Sequence, residues 1–310
     1  MKFSICIVIC THNRAMQLER CLAALTPLLD PSIQVLVVDN APDSGATRLL
    51  AEQYKTGYQL APLRGLSRAR NIGLKVCTSD IVAFLDDDMI PHVAWLAQLS
   101  APFEDPEVMA VTGPMLPLAL VNDSEEAVGC GLRESAWGAT PFQIDRHSPD
   151  WFGRANFGGL GDGNFAVRRS VLATWHGFEE SIGRGMPLDS GEDHYAFFSL
   201  IAQGHRIAYN PRAIVFHPPV VDSPEHRLYS LTLNVAYSCL LLLQHPRFAP
   251  HLLWFAIRAS CGKRHWWRNG KAGLISSSPS LLQRLQSFCK GLQLFWGTWR
   301  SDLAANRVIE

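Results

Sequence analysis

At 310 residues, with 47% hydrophobic and 18% charged side chains, the chain has the composition of a globular protein with a substantial core, which excludes disorder. Its formal net charge is zero, but 11 Lys and Arg stand against 4 Asp and Glu over residues 220–310, and 17 against 24 over residues 1–219, so an acidic body carries a basic tail. The eight cysteines include no C-x-x-C pair, which argues against a zinc site or a disulfide framework and for reduced thiols.

The opening apolar run is short, carries one lysine, and leads into Thr-His-Asn-Arg rather than a small-residue cleavage site, so it reads as a first buried strand and not as a signal peptide. From there the pattern alternates: strand 3–10, helix 15–26, strand 33–39, helices 45–55 and 67–77, strand 80–86, helix 92–101, strand 108–113. Short β-branched runs separated by amphipathic helices predict a parallel sheet covered on both faces. Ligands of such sheets bind beyond the carboxyl ends of the strands. Thr11 to Arg14, Asp39 with Asn40, and Asp86 to Asp88 all fall at such ends.

Asp86, Asp87 and Asp88 are the most telling of these. Three adjacent carboxylates repel one another, and the buried strand before them is a poor place to solvate them, so a counter-cation is expected. Mg²⁺ or Mn²⁺ fits, since such ions are held by one or two carboxylates together with substrate phosphates; a nucleotide diphosphate then supplies the rest. The competing reading is a solvated acidic turn, which the Val-Ala-Phe-Leu run ahead of it disfavours.

Residues 114–160 are irregular and read as the rim of the site. A glycine-dense loop at 158–163 then enters a strand that ends in Arg168 and Arg169, which could reach phosphates or lie on the surface. A helix over 192–203 opens with Glu192 and Asp193, acids that also complement a helix dipole. A strand at 206–209 and an apolar run ending in His217 complete the body. In the tail, the 16 apolar residues 228–243 fall short of the ~20 that span a bilayer. The basic, Trp-containing segment 263–271 and the amphipathic segment 280–300 suit an interfacial helix on an anionic membrane; the alternative is a helical subdomain packed on the core or an oligomer contact.

Seven segments, in order, carry a resemblance: Ile-Val-Ile-Cys-Thr-His-Asn-Arg (7–14), Val-Leu-Val-Val-Asp-Asn (35–40), Gly-Leu-Ser-Arg-Ala-Arg-Asn-Ile-Gly (65–73), Ala-Phe-Leu-Asp-Asp-Asp (83–88), Gly-Asp-Gly-Asn-Phe-Ala-Val-Arg-Arg (161–169), Gly-Glu-Asp (191–193) and Tyr-Asn-Pro-Arg-Ala-Ile-Val-Phe-His (209–217). Together they resemble the family 2 glycosyltransferases of the GT-A fold. The resemblance implies an α/β catalytic domain over 1–219, its nucleotide-binding half about 1–113 and its acceptor half about 114–219, with a mostly parallel central sheet between helices and a C-terminal helical extension over 220–310. It implies transfer of a sugar, with inversion, from a nucleotide-diphosphate donor, UDP-sugars being favoured, to a saccharide or lipid-linked hydroxyl in polysaccharide or glycolipid synthesis.

Carried over to this chain, the resemblance gives the nucleotide to Thr11, His12, Arg14, Asp39, Arg70, Asn71 and Asp86, and Mn²⁺ or Mg²⁺ to Asp88 with Asp86 and His217. It gives the donor sugar or acceptor to Asp87, Gly163 and Asn164, and makes Asp193 the general base with Glu192 beside it. Tyr195 stands where many relatives have a further acid, and the triplet also admits the register Asp87 with Asp88. The implied location is cytoplasmic, peripheral on the inner face of the plasma membrane through the tail. Two other readings remain. A sugar nucleotidyltransferase would carry a Gly- and Lys-containing phosphate loop where this chain has Thr-His-Asn-Arg; a non-catalytic nucleotide-sugar-binding module has no need of Gly-Glu-Asp. An acidic body without a nucleic-acid motif gives no nucleic-acid partner.

Overall fold

The computed structural model describes residues 3–118, 138–157, 161, 163–218, 223–260 and 280–306. Its strands are β1 (Ile5–Thr11), β2 (Gln34–Asn40), β3 (Gly57–Ala61), β4 (Ile81–Leu85), β5 (Ile90–Pro91), β6 (Val108–Thr112), β7 (Met115–Pro117), β8 (Phe142–Ile144), β9 (Asn164–Arg168), β10 (Arg206–Tyr209) and β11 (Val215–His217). Eight of them form one sheet in the order β3-β2-β1-β4-β9-β6-β10-β8; β5-β11-β7 form a small second sheet. Strands β3, β2, β1 and β4 are parallel, as are β6 and β10. Strand β9 runs antiparallel between β4 and β6, and β8 antiparallel on β10, so the central sheet is mostly parallel, as expected.

The two faces are both buried, as the continuous apolar runs require. Alternate residues of β1 and β4 divide between two cores: Cys6, Val8, Val82 and Phe84 on one side, Ile7, Ile9, Ala83 and Leu85 on the other. Helices α1 (Ala15–Leu25), α2 (Ala46–Gln53) and α4 (Trp95–Ser100) cover the second face, α1 through Leu18, Cys21, Leu22 and Leu25 at the spacing of one helical stripe. The first face is covered by α3 (Leu66–Val76), α5 (Trp151–Phe157) and α6 (Glu192–Ala202).

Three further helices follow: α7 (Pro224–Gln244), α8 (Ala249–Ser260) and α9 (Leu281–Asn306). Ala236, Tyr237, Leu240 and Leu241 of α7 and Leu252 of α8 are buried in the same core as α5 and α6, so this part of the tail is packed on the body. No helix among the described residues is long and apolar enough to cross a membrane. The reduced-thiol expectation is corrected at one pair, since Cys6 of β1 and Cys77 just after α3 form a buried disulfide. Residues 119–137 of the irregular rim, Gly158 to Leu160, Asp162 and the basic segment 263–271 lie outside the described residues.

Candidate active site

Helix α3 organises the site. Its face toward the core carries Ser67, Arg70 and Asn71 where an ordinary amphipathic helix has apolar residues, and all three are buried. Arg70 is 1% exposed and lies over the rings of Phe165 and Phe178 at 5.5 and 5.4 Å. Its Nη2 donates to Asp86 (3.1 Å), while Nη1 donates to Glu192 (3.2 Å) and to Asp193. One guanidinium thus joins the end of β4 to the start of α6.

Gly163 closes the same ring from above. Its N–H donates to Asp193 Oδ2 (3.2 Å) and its carbonyl accepts from the Asp86 N–H (3.3 Å). Its φ is +70°, and a Cβ there would lie 2.1 Å from Asp86 Oδ2, so glycine is required twice over. Because β9 is antiparallel, this loop at its amino end reaches the crevice, while Arg168 and Arg169 at the other end do not. Arg168 donates to the carbonyls of Phe103, Asp105 and Val108, and Arg169 to that of Cys77.

Burial pushes Asp193 up to about 6, opposed by Arg70 and aided by Glu192. At neutral pH it is therefore mostly an anion held ready to accept a proton. Cys10, at the end of β1, is pushed up to about 12 by burial and stays a thiol.

The triplet is neutralised from three sides. Asp87 is 3% exposed, accepts from Thr11 Oγ1 (2.7 Å) and pairs with Arg14 Nη1 (2.9 Å). Burial nonetheless pushes it up to about 7. Asp88 pairs with Arg14 Nη2 (2.6 Å) and with His217 Nε2 (3.5 Å). Burial works against its ionisation, but the hydrogen bonds from His217 and Arg14 hold it well below the usual carboxylate range. The register of the small sheet brings these groups together: Phe216 of β11 stands opposite Ile90 of β5, so His217 arrives beside the triplet.

His217 Nδ1 lies 2.6 Å from the Pro218 carbonyl, which fixes the ring with Nε2 toward Asp88. Its hydrogen bond to Asp88 raises its pKa. A ring anchored in this way and facing a carboxylate is the usual surrounding of a metal-ligating histidine. Among the described residues no three His, Cys, Asp or Glu side chains cluster closely enough to hold an ion by themselves. The donor set therefore fits a divalent ion that takes one carboxylate, one imidazole and its remaining ligands from water or phosphate.

On the other side of β1, Asp39 is fully buried. Its Oδ2 accepts from Tyr58 of β3 (3.0 Å), whereas Oδ1 makes no hydrogen bond of ordinary geometry among the described residues, with the Thr47 hydroxyl beside it. Burial raises the pKa of this carboxyl. An orphaned buried acceptor at a strand end is suited to an N–H of a ligand. His12 Nδ1 lies 2.6 Å from the Asn40 carbonyl, and Asn40 holds Gly65 and Leu63, so the β1, β2 and α3 ends share one wall.

Two expected site residues are turned into the fold. Asn71 accepts from the Phe178 N–H and donates to the Phe178 carbonyl and Glu180, which uses both ends of its amide. Asn164, 0% exposed, accepts from Trp95 Nε1 (2.8 Å) and donates to the Ala213 and Pro114 carbonyls, leaving nothing for a sugar. Conversely, Tyr58 and Ser67 belong to the site without a motif of their own in the sequence. Ser67 holds the 177–191 loop through the Ile182 carbonyl (2.8 Å), and a polar residue on the core face of α3 was its signal.

Comparison with known proteins gives the same architecture. Residues 6–118 match the family model described as Glycosyl transferase family 2. The pre-mycofactocin glycosyltransferase of Mycobacterium tuberculosis is 29% identical over 224 residues, covering 68% of this chain; the chain spans only 42% of that relative's length. The succinoglycan biosynthesis protein ExoM of Rhizobium meliloti is 28% identical over 242 residues, 71% of this chain and 67% of that one. Among solved structures, a mannosyltransferase from Pyrobaculum calidifontis in complex with GDP-Man and Mn²⁺ superposes with a TM-score of 0.56 at 19% identity, covering 100% of this chain and 81% of the other. The chain thus has the GT-A fold, and its residues 6–118 are similar to glycosyltransferase family 2.

Proposed function

We propose that this chain is a metal-dependent, inverting glycosyltransferase that moves a sugar from a nucleotide-diphosphate sugar to a hydroxyl of a saccharide or lipid-linked acceptor. The observation that carries the reading is the buried Arg70, which holds Asp86 beside Asp193. In this reading Asp39 accepts from a base N–H, and Thr11, His12 and Arg14 line the nucleotide side. Asp88 and His217 would hold the ion, and the ion, when bound, neutralises charge on the departing diphosphate. Asp193 takes the proton of the acceptor hydroxyl as its oxygen bonds the anomeric carbon and the carbon–phosphate oxygen bond breaks. Arg70 keeps Asp193 ionised and aimed, and Glu192 shares that guanidinium. The complex of the Pyrobaculum enzyme with GDP-Man and Mn²⁺ supports a nucleotide-sugar donor and this ion, and the name of ExoM supports a saccharide product.

The test is binding and slow hydrolysis of a panel of UDP-, GDP- and TDP-sugars with Mn²⁺, with Mg²⁺ and with EDTA. One donor bound and hydrolysed only with metal, by the wild type and not by Asp88→Ala, is the expected result. No binding of any donor under any metal condition overturns the reading.

A further inference from the structure

Helix α9 packs on the body through small residues flanked by the half-buried Leu294 and Phe295. Ser287, Gly291 and Thr298 are buried, and a Cβ on Gly291 would come within 2.6 Å of Val235 Cβ and 2.7 Å of the Thr232 carbonyl, both on α7. The opposite side carries Leu285, Phe288, Leu292 and Trp296, at 54%, 48%, 42% and 48% exposure, with Leu282 at 65%. The steps of three and four residues put these five on one stripe, and the buried three on the reverse of it. A surface helix of a water-soluble protein normally turns its apolar stripe inward, whereas α9 leaves these five outward. Five large apolar side chains in a row are more than scattered surface hydrophobics.

Charge says what covers this stripe. Between Glu225 and Asp302 the sequence has no acidic residue and ten Lys or Arg. A second copy docked stripe to stripe would bring the Arg284 and Lys290 side chains of the two α9 helices together, which like-charge repulsion opposes. A surface with negative headgroups above a hydrocarbon layer satisfies both the charge and the stripe. Since no described helix crosses a membrane, α9 would lie in the interfacial plane. Trp296 and Trp299, with ring centroids 4.9 Å apart, are of the residue type that favours that depth.

We infer that the outer face of α9, from Leu282 to Trp296, docks on an anionic lipid bilayer. Docking stands independently of the proposed transfer reaction. It bears on it through α7: Val235 meets Gly291 of α9, and two positions on, Tyr237 meets Gly191, the residue before Glu192 and Asp193. One helix therefore sets the height of the candidate base above the lipid.

The experiment is co-sedimentation of the full chain with vesicles of phosphatidylcholine alone and of phosphatidylcholine mixed with phosphatidylglycerol. The variants are Phe288→Gln/Leu292→Gln/Trp296→Gln and, as a milder change, Phe288→Gln alone. We expect the wild type to sediment with the mixed vesicles and less with the neutral ones. The triple variant should lose about tenfold or more of that partitioning and the single variant less, with melting temperature and donor hydrolysis unchanged. Wild type that stays in solution with both vesicles overturns the inference. So does a triple variant that sediments like wild type, or a wild-type dimer in light scattering that the variant splits while neither binds lipid. Wild type that hydrolyses a donor but binds neither kind of vesicle refutes docking alone; wild type that binds the mixed vesicles but hydrolyses no donor refutes the reaction alone.

Discussion

Asp193 takes its ion pair not from its own helix but from Arg70, 123 positions earlier on α3. Removing one partner from a buried set of charges leaves the others uncompensated. Arg70→Met should therefore lower stability by about 3 to 5 kcal/mol in urea unfolding at neutral pH. Arg70→Lys should recover only part of this, because a single ammonium cannot fork to Asp86 and Asp193 together.

The pH dependence of turnover tests the base. Asp193 is pushed up to about 6, and its ionised form is the one that accepts a proton. The rate should rise with pH through 6 and level off above neutrality. Asp193→Asn should cost about 10²- to 10⁴-fold in kcat, with donor affinity measured by calorimetry little changed. A variant with wild-type kcat removes Asp193 from the role.

Asp87 gives a stability prediction with a definite sign. Its folded pKa of about 7 is above the unfolded value, so between the two the folded state holds a proton that the unfolded chain has released. Its contribution to stability is thus largest at low pH and declines as pH rises toward 7. Asp87→Asn, which keeps an acceptor for Thr11, should raise the melting temperature at pH 8 and change it little near pH 4.

Arg14 spans Asp87 and Asp88 and is half exposed, so it would compete with a cation proposed at Asp88. Arg14→Gln should tighten Mn²⁺ binding without nucleotide by up to about fivefold, the scale of an exposed ion pair. The same variant should weaken nucleotide-sugar binding. Paramagnetic resonance of free Mn²⁺ reads the first effect and calorimetry the second.

Gly163→Ala combines a positive φ with a Cβ 2.1 Å from Asp86 Oδ2. It should cost about 1 to 3 kcal/mol of stability from the backbone alone and displace Asp86. A melting scan and kcat/KM measured on one preparation check both.

Much of this site was legible because period and position are local. The apolar runs of β1, β2 and β4 placed Thr11, Asp39 and Asp86 at carboxyl ends, and Gly-Glu-Asp marked the start of α6. What depends on distant partners was not legible. The short strands β5, β7 and β8 exist only because β10 and β11 pair with them, and Gly57 with two half-exposed neighbours hid the edge strand β3 and with it Tyr58. Nothing near Asn71 or Asn164 revealed that the Phe178 loop and Trp95 would take their amides. The Cys6–Cys77 pairing likewise joins a strand to a helix end 71 positions away.

The crevice places five carboxylates, Asp86, Asp87, Asp88, Glu192 and Asp193, against two guanidiniums and one imidazole. Its field is that of a cation trap, and a bare nucleotide diphosphate approaching it meets repulsion. A donor that arrives already chelated to its ion carries less negative charge through the entrance. In the proposed reaction this arrangement would favour metal binding first or together with the nucleotide, and the donor on-rate would fall when free metal is scarce.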